Sequence, residues 1–244
     1  MCGRFSSTSQ LQFLLEQFRA EPHGVEGHQP SWNVAPATDI LVVVAGPDGA
    51  RQLRELRWGL VPRWAKDRSG ANRMINLRAE TVREKKGWKS TLARKRCIIP
   101  IDGFYEWQDQ GKGKRKQPFY ITSRDFSPIA LAGLWATWRD PADKDKGDGD
   151  GGGDDELWTC TILTTSANKL MGSVHERMPV ILQPEDWDRW LDPDYTDTEE
   201  LAKLLQPAPE EMLTLWPVDP AVGNVRNNRP ELQEPLEGHQ PITA

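Results

Sequence analysis

The amino-acid sequence predicts an α+β fold with a curved, largely antiparallel β-sheet or open barrel at its core and helices at the periphery. Segments with the composition of β-strands outnumber helical ones. Helical and strand segments also lack the regular alternation that a parallel sheet requires. Because the chain has 244 residues, 37% of them hydrophobic, we expect a single globular domain over residues 1–244.

The first elements are a helix and two strands. Residues 7–18 predict a helix, because leucine and phenylalanine recur at helical spacing after a Ser/Thr-containing start that offers an N-cap. Residues 39–46 and 52–58 are typical of strands, and the turn-forming sequence GPDGA lies between them. We therefore expect a hairpin after the first helix.

The later elements are a second helix, expected over residues 79–95, and a series of strands. The β-rich segments, separated by turn residues, are 96–108, 117–123, 127–138 and 156–165. An acidic, glycine-rich stretch at about 140–156 interrupts the last two. It has no apolar anchor, so we expect a disordered insertion within the domain.

The cysteines, Cys2, Cys97 and Cys160, are odd in number and lack the spacing of metal ligands. This argues against a disulfide framework and a zinc site, and we expect no metal and no cofactor. Cys97 and Cys160 lie in apolar, strand-like segments and are expected to be buried structural thiols. The sequence has neither a membrane-spanning apolar run nor a signal peptide, so we expect a cytoplasmic protein without a membrane partner.

Charge is distributed unevenly along the chain. The formal net charge is −5, yet residues 51–96 contain fifteen Lys or Arg against four Asp or Glu. A surplus of positive charge in an acidic protein favours a face that binds a polyanion. The alternative is an ordinary solvated helical face around residues 82–96.

Cys2 is the most unusual reactive group in the sequence. If Met1 is removed, Cys2 carries an amine and a thiol on adjacent carbons. Their ordinary pKa values, about 7.7–8.0 and about 8.5, leave both partly nucleophilic near neutral pH. Such a 1,2-aminothiol is well suited to capturing an aldehyde, whereas the alternative is a small terminal residue without a role.

Polar residues in apolar surroundings are candidates for proton transfer. Glu106 is expected on the same strand face as Phe104, and a carboxylate there suits general acid or base chemistry, unless it is simply exposed. His175 precedes an apolar strand and suits the same role, unless it is a structural histidine. Asn76 offers both a donor and an acceptor.

Aromatic and basic residues alternate in the segment RWGLVPRWAKD, where Trp64 is flanked by Arg63 and Lys66. Single-stranded nucleic acid is bound in this way, with phosphates on cations and bases stacked on rings. The rigid Ala35–Pro36 step in WNVAPATD offers a wedge against a base. Both features favour a nucleic-acid partner.

Seven motifs occur in order: MCGRF, WNVAPATD, RWGLVPRWAKD, INLRAET, IPIDGFYEW, AGLW and TTSANKLMGSVHERMPVIL. Together they resemble the SRAP (SOS response-associated peptidase) family, the abasic-site processing proteins, from Met1 to about Asn228. The acidic insertion is the main departure and touches none of the motifs. The resemblance implies that processed Cys2 forms a thiazolidine with an abasic site in single-stranded DNA.

By the same resemblance, Asn76, Glu106 and His175 fall on active-site positions, beside Cys2. The positions that hold DNA or the lesion are Arg4, Asn33, Pro36, Trp64, Arg78 and Arg177. The expected partner is single-stranded DNA carrying abasic sites. We expect the protein to bind it as a monomer and to be associated with the nucleoid when bound to DNA. No motif identifies a replication-fork protein as a partner.

Two other functions stay open at this stage. One is a thiol autopeptidase or N-terminal nucleophile hydrolase that uses Cys2 on amides, with Met1 as its substrate. The other is a single-stranded DNA binding module without chemistry, which leaves Cys2 unexplained. An imine at Cys2 would also open a path to β-elimination, which is lyase activity.

We predict that deletion of residues 141–155 leaves the fold and any reaction with abasic DNA intact, because the stretch lacks apolar anchors and lies outside every motif. Circular dichroism and a crosslinking assay compare the deletion variant with the full chain. An unfolded or unreactive variant would contradict the expectation.

Overall fold

The computed structural model describes residues 2–141 and 156–244. Most of the predicted disordered insertion at about 140–156, like Met1, lies outside the described residues. The strands are β1 Phe5–Ser7, β2 Glu21–His23, β3 Ser31–Val34, β4 Asp39–Ala45, β5 Arg51–Trp58, β6 Asn76–Arg78, β7 Arg96–Ile101, β8 Gly103–Gln108, β9 Gln117–Ser123, β10 Ile129–Trp138, β11 Leu157–Ser166, β12 Arg177–Pro179, β13 Leu213–Pro217 and β14 Ile242–Thr243. The α-helices are α1 Leu11–Phe18, α2 Ala79–Glu84, α3 Lys86–Arg94, α4 Lys169–Gly172, α5 Trp187–Leu191 and α6 Thr198–Lys203.

Five strands form a closed barrel, and the expected α+β class is confirmed. Antiparallel pairs join β5, β4, β7, β10 and β11 in that order. A parallel pairing of β11 with β5, with Cys160 opposite Trp58, then closes the ring. Closure removes the free strand edges that an open barrel would leave.

The barrel strands are apolar on both faces. On β4, Val42 belongs to the cluster that fills the barrel, whereas Val43 belongs to a second cluster between the barrel and the helices. Burial on both sides explains why this strand is a continuous apolar run rather than an alternating one. Cys97 and Cys160 are fully buried free thiols, as predicted.

A second, antiparallel sheet packs beside the barrel, in the order β14-β13-β9-β8-β1-β3. The predicted β-segment 96–108 supplies one strand to each sheet, because the chain changes sheet at Asp102. There the backbone N–H of Asp102 bonds to Ser6 O of β1, and its carboxylate accepts from the backbone N–H of Ser9 at 3.1 Å. This junction places β1, and Cys2 before it, against the barrel.

The predicted helix over 79–95 is two helices, because Lys85 adopts an extended conformation between α2 and α3. Ala79 and Leu92 are both buried in the cluster between barrel and helices. In one continuous helix they would lie about 140° apart around the axis. The break lets both helices turn an apolar face to the same core.

Among residues 2–141 and 156–244, none of the helices has the length and apolar character needed to cross a bilayer.

We predict that Gly133→Ala destabilises the barrel and that Gly87→Ala does not. A Cβ at Gly133 on β10 would lie 2.9 Å from Thr161 O and 2.8 Å from Cys97 Sγ, so strands must shift, at a cost of about 1–3 kcal/mol. A Cβ at Gly87 meets nothing within 4 Å, and alanine favours a helix by up to about 1 kcal/mol. Urea unfolding measures both, and equal midpoints would contradict the prediction.

Candidate functional site

Cys2 lies three residues before the start of β1, fully buried in the cluster that fills the barrel. Its carbonyl oxygen accepts a hydrogen bond of 2.7 Å from the side-chain Nδ2 of Asn76. Asn76 begins β6 and pairs with Ile162 of β11 in a parallel register. The reactive end of the chain is therefore fixed to the barrel wall.

Asn76 also presents an acceptor to the site. Its Oδ1 is buried and has no hydrogen-bond partner among the residues that the structure describes. A buried polar atom is normally paired. An N–H or O–H group brought in by a ligand, or a freed terminal amine, would satisfy it.

Glu106 is buried on β8, with 4% of its surface exposed. Its Oε1 accepts from the backbone N–H of Trp107 at 3.3 Å. Phe104 packs in the cluster of Cys2 and Tyr105 in the cluster on the other face, so the predicted alternation along β8 is confirmed. A carboxylate thus lies buried within electrostatic range of Cys2.

The Cys2 thiol is protonated in this environment, unlike the partly ionised thiol expected from the sequence. Burial raises the pKa of the thiol far above its ordinary value, and the charge of Glu106 raises it further. The sulfur therefore reacts only as its proton leaves. Glu106 is the neighbouring group that suits the transfer of that proton.

His175 follows α4 and is half-buried. Its Nδ1 accepts a hydrogen bond of 3.0 Å from the backbone N–H of Arg177. In the neutral imidazole the proton is then on Nε2. The backbone thus sets which ring nitrogen acts as a donor.

Arg177 is held by a partner that the sequence motifs did not single out as a site residue. Its Nη1 and Nη2 donate to the two carboxylate oxygens of Glu80 at 2.7 and 3.0 Å, and Nη2 also donates to Thr164 O at 2.7 Å. These bonds from Arg177 lower the pKa of Glu80. Glu80 stands two residues after Arg78 in INLRAET, which is the only sequence signal for it.

Strand β11 brings several predicted residues together. On β6, Asn76 pairs with Ile162 of β11 and Arg78 pairs with Thr164 of β11. On β12, Arg177 pairs with Ser166 of β11. His175 is two residues from Arg177, and Cys2 is bonded to Asn76. Cys2, Asn76, His175 and two predicted DNA-binding arginines therefore share one region of the barrel, and Glu106 acts on Cys2 from β8 of the second sheet.

Arg4 and Asn33 form a separate pair. Arg4 Nη1 donates to Asn33 Oδ1 at 2.8 Å and to Val222 O at 2.9 Å, and Asn33 Nδ2 donates to Asn227 O at 2.7 Å. The pair therefore anchors the segment 220–228, a role that no sequence motif predicted. Their contact with DNA stays a prediction.

Pro36 and Trp64 lie outside this hydrogen-bonded cluster. Pro36 lines a cavity of about 600 Å³ that Asn33 also borders. Trp64 is 82% exposed, which leaves its indole open to a stacking partner. Within the described residues, no group of three or more His, Cys, Asp or Glu side chains is placed to hold a metal ion.

Comparison with known proteins identifies relatives that match most of this chain. A family model described as SOS response associated peptidase (SRAP) matches residues 1–225. The abasic site processing protein YoqW of Bacillus subtilis is 42% identical over 236 residues, covering 96% of this chain and 99% of that protein. The abasic site processing protein HMCES of Gallus gallus is 31% identical over 240 residues, covering 86% of this chain and 67% of that protein.

The fold has a counterpart among solved structures. A crystal structure of a protein from Bacteroides thetaiotaomicron superposes with a TM-score of 0.80, covering 96% of this chain and 99% of that one. The two chains are 24% identical, so the likeness supports the architecture alone.

We predict that Glu80→Gln lowers the free energy of unfolding by up to about 1 kcal/mol at pH 7, because the half-exposed pair with Arg177 is screened by solvent. The folded-state pKa of Glu80 is lowered, so its contribution is present above the unfolded value of about 4.3 and is lost as pH falls through the folded value. The difference from wild type should shrink towards zero below about pH 4.

Urea unfolding at pH 7 and pH 3 measures this difference. Exposed Glu211→Gln is the matched control and should change little at either pH. An equal loss for Glu80→Gln at both pH values would show that the charge of Glu80 is not what stabilises the pair.

Proposed function

The chain belongs to the SOS response-associated peptidase (SRAP) family, and on that premise we propose that it processes abasic sites in DNA. Relatives that carry the name abasic site processing protein match almost the whole chain. The observation that carries the proposal is the position of Cys2, which is buried and bonded to Asn76 in the electrostatic field of Glu106.

The proposed substrate is an abasic site in single-stranded DNA, and the proposed product is a covalent thiazolidine at Cys2. Removal of Met1 frees the α-amine of Cys2. The ring-opened abasic sugar is an aldehyde, and the amine attacks its C1′ to give an imine with loss of one water. The thiol sulfur then bonds to the same carbon while its proton passes to the imine nitrogen, which closes a five-membered ring.

The neighbouring residues have distinct roles in this scheme. Glu106 takes the thiol proton as sulfur attacks and returns it to nitrogen. His175, with its proton on Nε2, donates to the sugar ring oxygen or to the departing hydroxyl. Asn76 holds the carbonyl of Cys2 through Nδ2, and its Oδ1 is available to the freed amine.

The chemistry of the ring supports a durable product. A thiazolidine has one C–N and one C–S single bond at the former aldehyde carbon, and both must break to release the sugar, so it is harder to reverse than an imine. The imine also acidifies the adjacent C2′ hydrogen, so β-elimination is a competing path that gives lyase activity. Removal of Met1 by the protein itself would be the peptidase activity for which the family is named.

In this proposal Arg78 and Trp64 hold the strand, and the exposure of both side chains supports that role. Arg78 lies two residues from Asn76 on β6 and supplies a phosphate contact. Arg177 contributes only if the phosphate competes with Glu80 for its guanidinium. We propose a monomer in complex with single-stranded DNA, associated with the nucleoid in that state.

We predict that the α-amine and the thiol of Cys2 have separable effects on reaction with an abasic oligonucleotide. Processed wild type should give a denaturant-resistant adduct whose mass is that of protein plus DNA minus one water. Cys2→Ala keeps the amine, so it should give an imine that borohydride traps but no stable adduct. Glu106→Gln should slow adduct formation while leaving binding intact.

The sharpest control is a chain that keeps one extra residue ahead of Cys2. Its thiol is intact and its amine has become an amide, so neither imine nor thiazolidine should form. Denaturing gels and intact mass spectrometry measure every variant. If the blocked chain reacts as fast as processed protein, the α-amine is not the nucleophile and the proposed reaction is wrong.

A further inference from the structure

We propose that the groove between the loop 60–65, helix α3 and the end of β10 is a second subsite, which binds an unpaired nucleotide of the DNA strand near the lesion. The inference rests on the proposed function for the identity of the strand. The groove encloses about 280 Å³ and is lined by Arg63, Trp64, Trp88, Thr91, Lys95 and Trp135, among others. Cations and aromatic rings together are the chemistry of a single-stranded nucleotide site.

The charge of this groove distinguishes it from two other cavities on the described surface. Arg63 and Lys95 line it together with no Asp or Glu. The cavity beside Pro36 is lined by two acidic residues and by neither Lys nor Arg. A third cavity is lined by four aspartates and one arginine. The charged residues of the three linings therefore favour an anionic ligand in the groove over the other two cavities.

Lys95 is held in position by a four-layer stack. Its Nζ lies 3.8 Å from the ring centroid of Trp135, which stacks on Trp158 at 4.6 Å and 10°, and the guanidinium carbon of Arg54 lies 4.0 Å from Trp158. Cation–π contacts at both ends fix the two cations. Such a preorganised cation loses less freedom when it binds a phosphate.

The charged form of Lys95 is disfavoured in the free protein. Burial lowers its pKa most, and Arg63 lowers it further, while Glu156 acts in the opposite direction. A phosphate between Lys95 and Arg63 would relieve their repulsion. Trp64 and Trp88 on the walls supply apolar surface for a base.

The groove lies close enough to Cys2 for one strand to reach both. The backbone N–H of Leu60, in the groove, donates to Met74 O, two residues before Asn76. Trp135 lies opposite Cys160, and Asn76 opposite Ile162, on the two edges of β11. From strand spacing and rise, the Cα atoms of Trp135 and Asn76 are about 12 Å apart, a distance that a few nucleotides span.

The test is the binding of fluorescein-labelled, undamaged oligothymidylate of increasing length. Wild-type affinity should rise once the strand is long enough to fill the groove. The double variant Arg63→Gln/Lys95→Gln should lose that rise, bind the long strand about tenfold more weakly, and show a salt slope reduced by about 1.4 for two lost phosphate contacts. The matched control, Lys86→Gln/Lys89→Gln, removes two nearby cations of α3 that do not line the groove and should keep the rise.

A second variant fills the groove without removing charge. Ser90→Trp, on the exposed face of α3 that borders the groove, should abolish the length dependence and leave the short strand bound as in wild type. Circular dichroism confirms that each variant folds. If both variants bind the long strand as tightly as wild type, the subsite does not exist.

The design separates failure of the subsite from failure of the proposed function. A short abasic oligonucleotide that cannot reach the groove should crosslink equally to wild type and to both groove variants. If wild type never crosslinks, the proposed reaction fails, yet the length dependence of undamaged DNA still decides the subsite.

Discussion

Backbone pairing along β11 holds the candidate site together. Its parallel contacts with β5 and β6 close the barrel and set Asn76 opposite Ile162, where the amide reaches the carbonyl of Cys2. The same strand bonds β12 near Arg177 and receives its guanidinium at Thr164 O. Loss of this pairing would therefore disperse residues that lie nearly 180 positions apart in the chain. The geometry of the candidate site therefore depends on the register of the strands that pair with β11.

The predicted DNA-binding cations are compensated to different degrees before any DNA arrives. Arg177 faces the carboxylate of Glu80, Arg4 is bonded to Asn33 and a backbone carbonyl, and Arg78 is exposed. A phosphate that binds Arg177 must replace the carboxylate of Glu80. Arg177 therefore adds less affinity for DNA than its formal charge suggests. A site of this kind favours ligands that supply several phosphates in a fixed arrangement over single anions.

Sequence patterns predicted the features that depend on local order. The alternation on β8 placed Phe104 and Glu106 on one face, and the apolar segments around Cys97 and Cys160 predicted their burial. Features that depend on distant partners were not predictable from one chain. The ring closes through a parallel contact of β5 with β11, and the helix expected over 79–95 breaks at Lys85 to serve a shared core. Glu80 and the 220–228 segment acquire their roles only through residues brought near by folding.

The stacked indoles of Trp135 and Trp158 form a diagonal pair across β10 and β11, with ring planes nearly parallel at 10°. Rings this close and parallel share their ultraviolet transitions, so the two side chains behave as one chromophore. Their exciton coupling gives circular dichroism of paired opposite sign, whose size varies with the angle between the rings. The circular dichroism of this tryptophan pair therefore reports on the alignment of β10 with β11 without an added label.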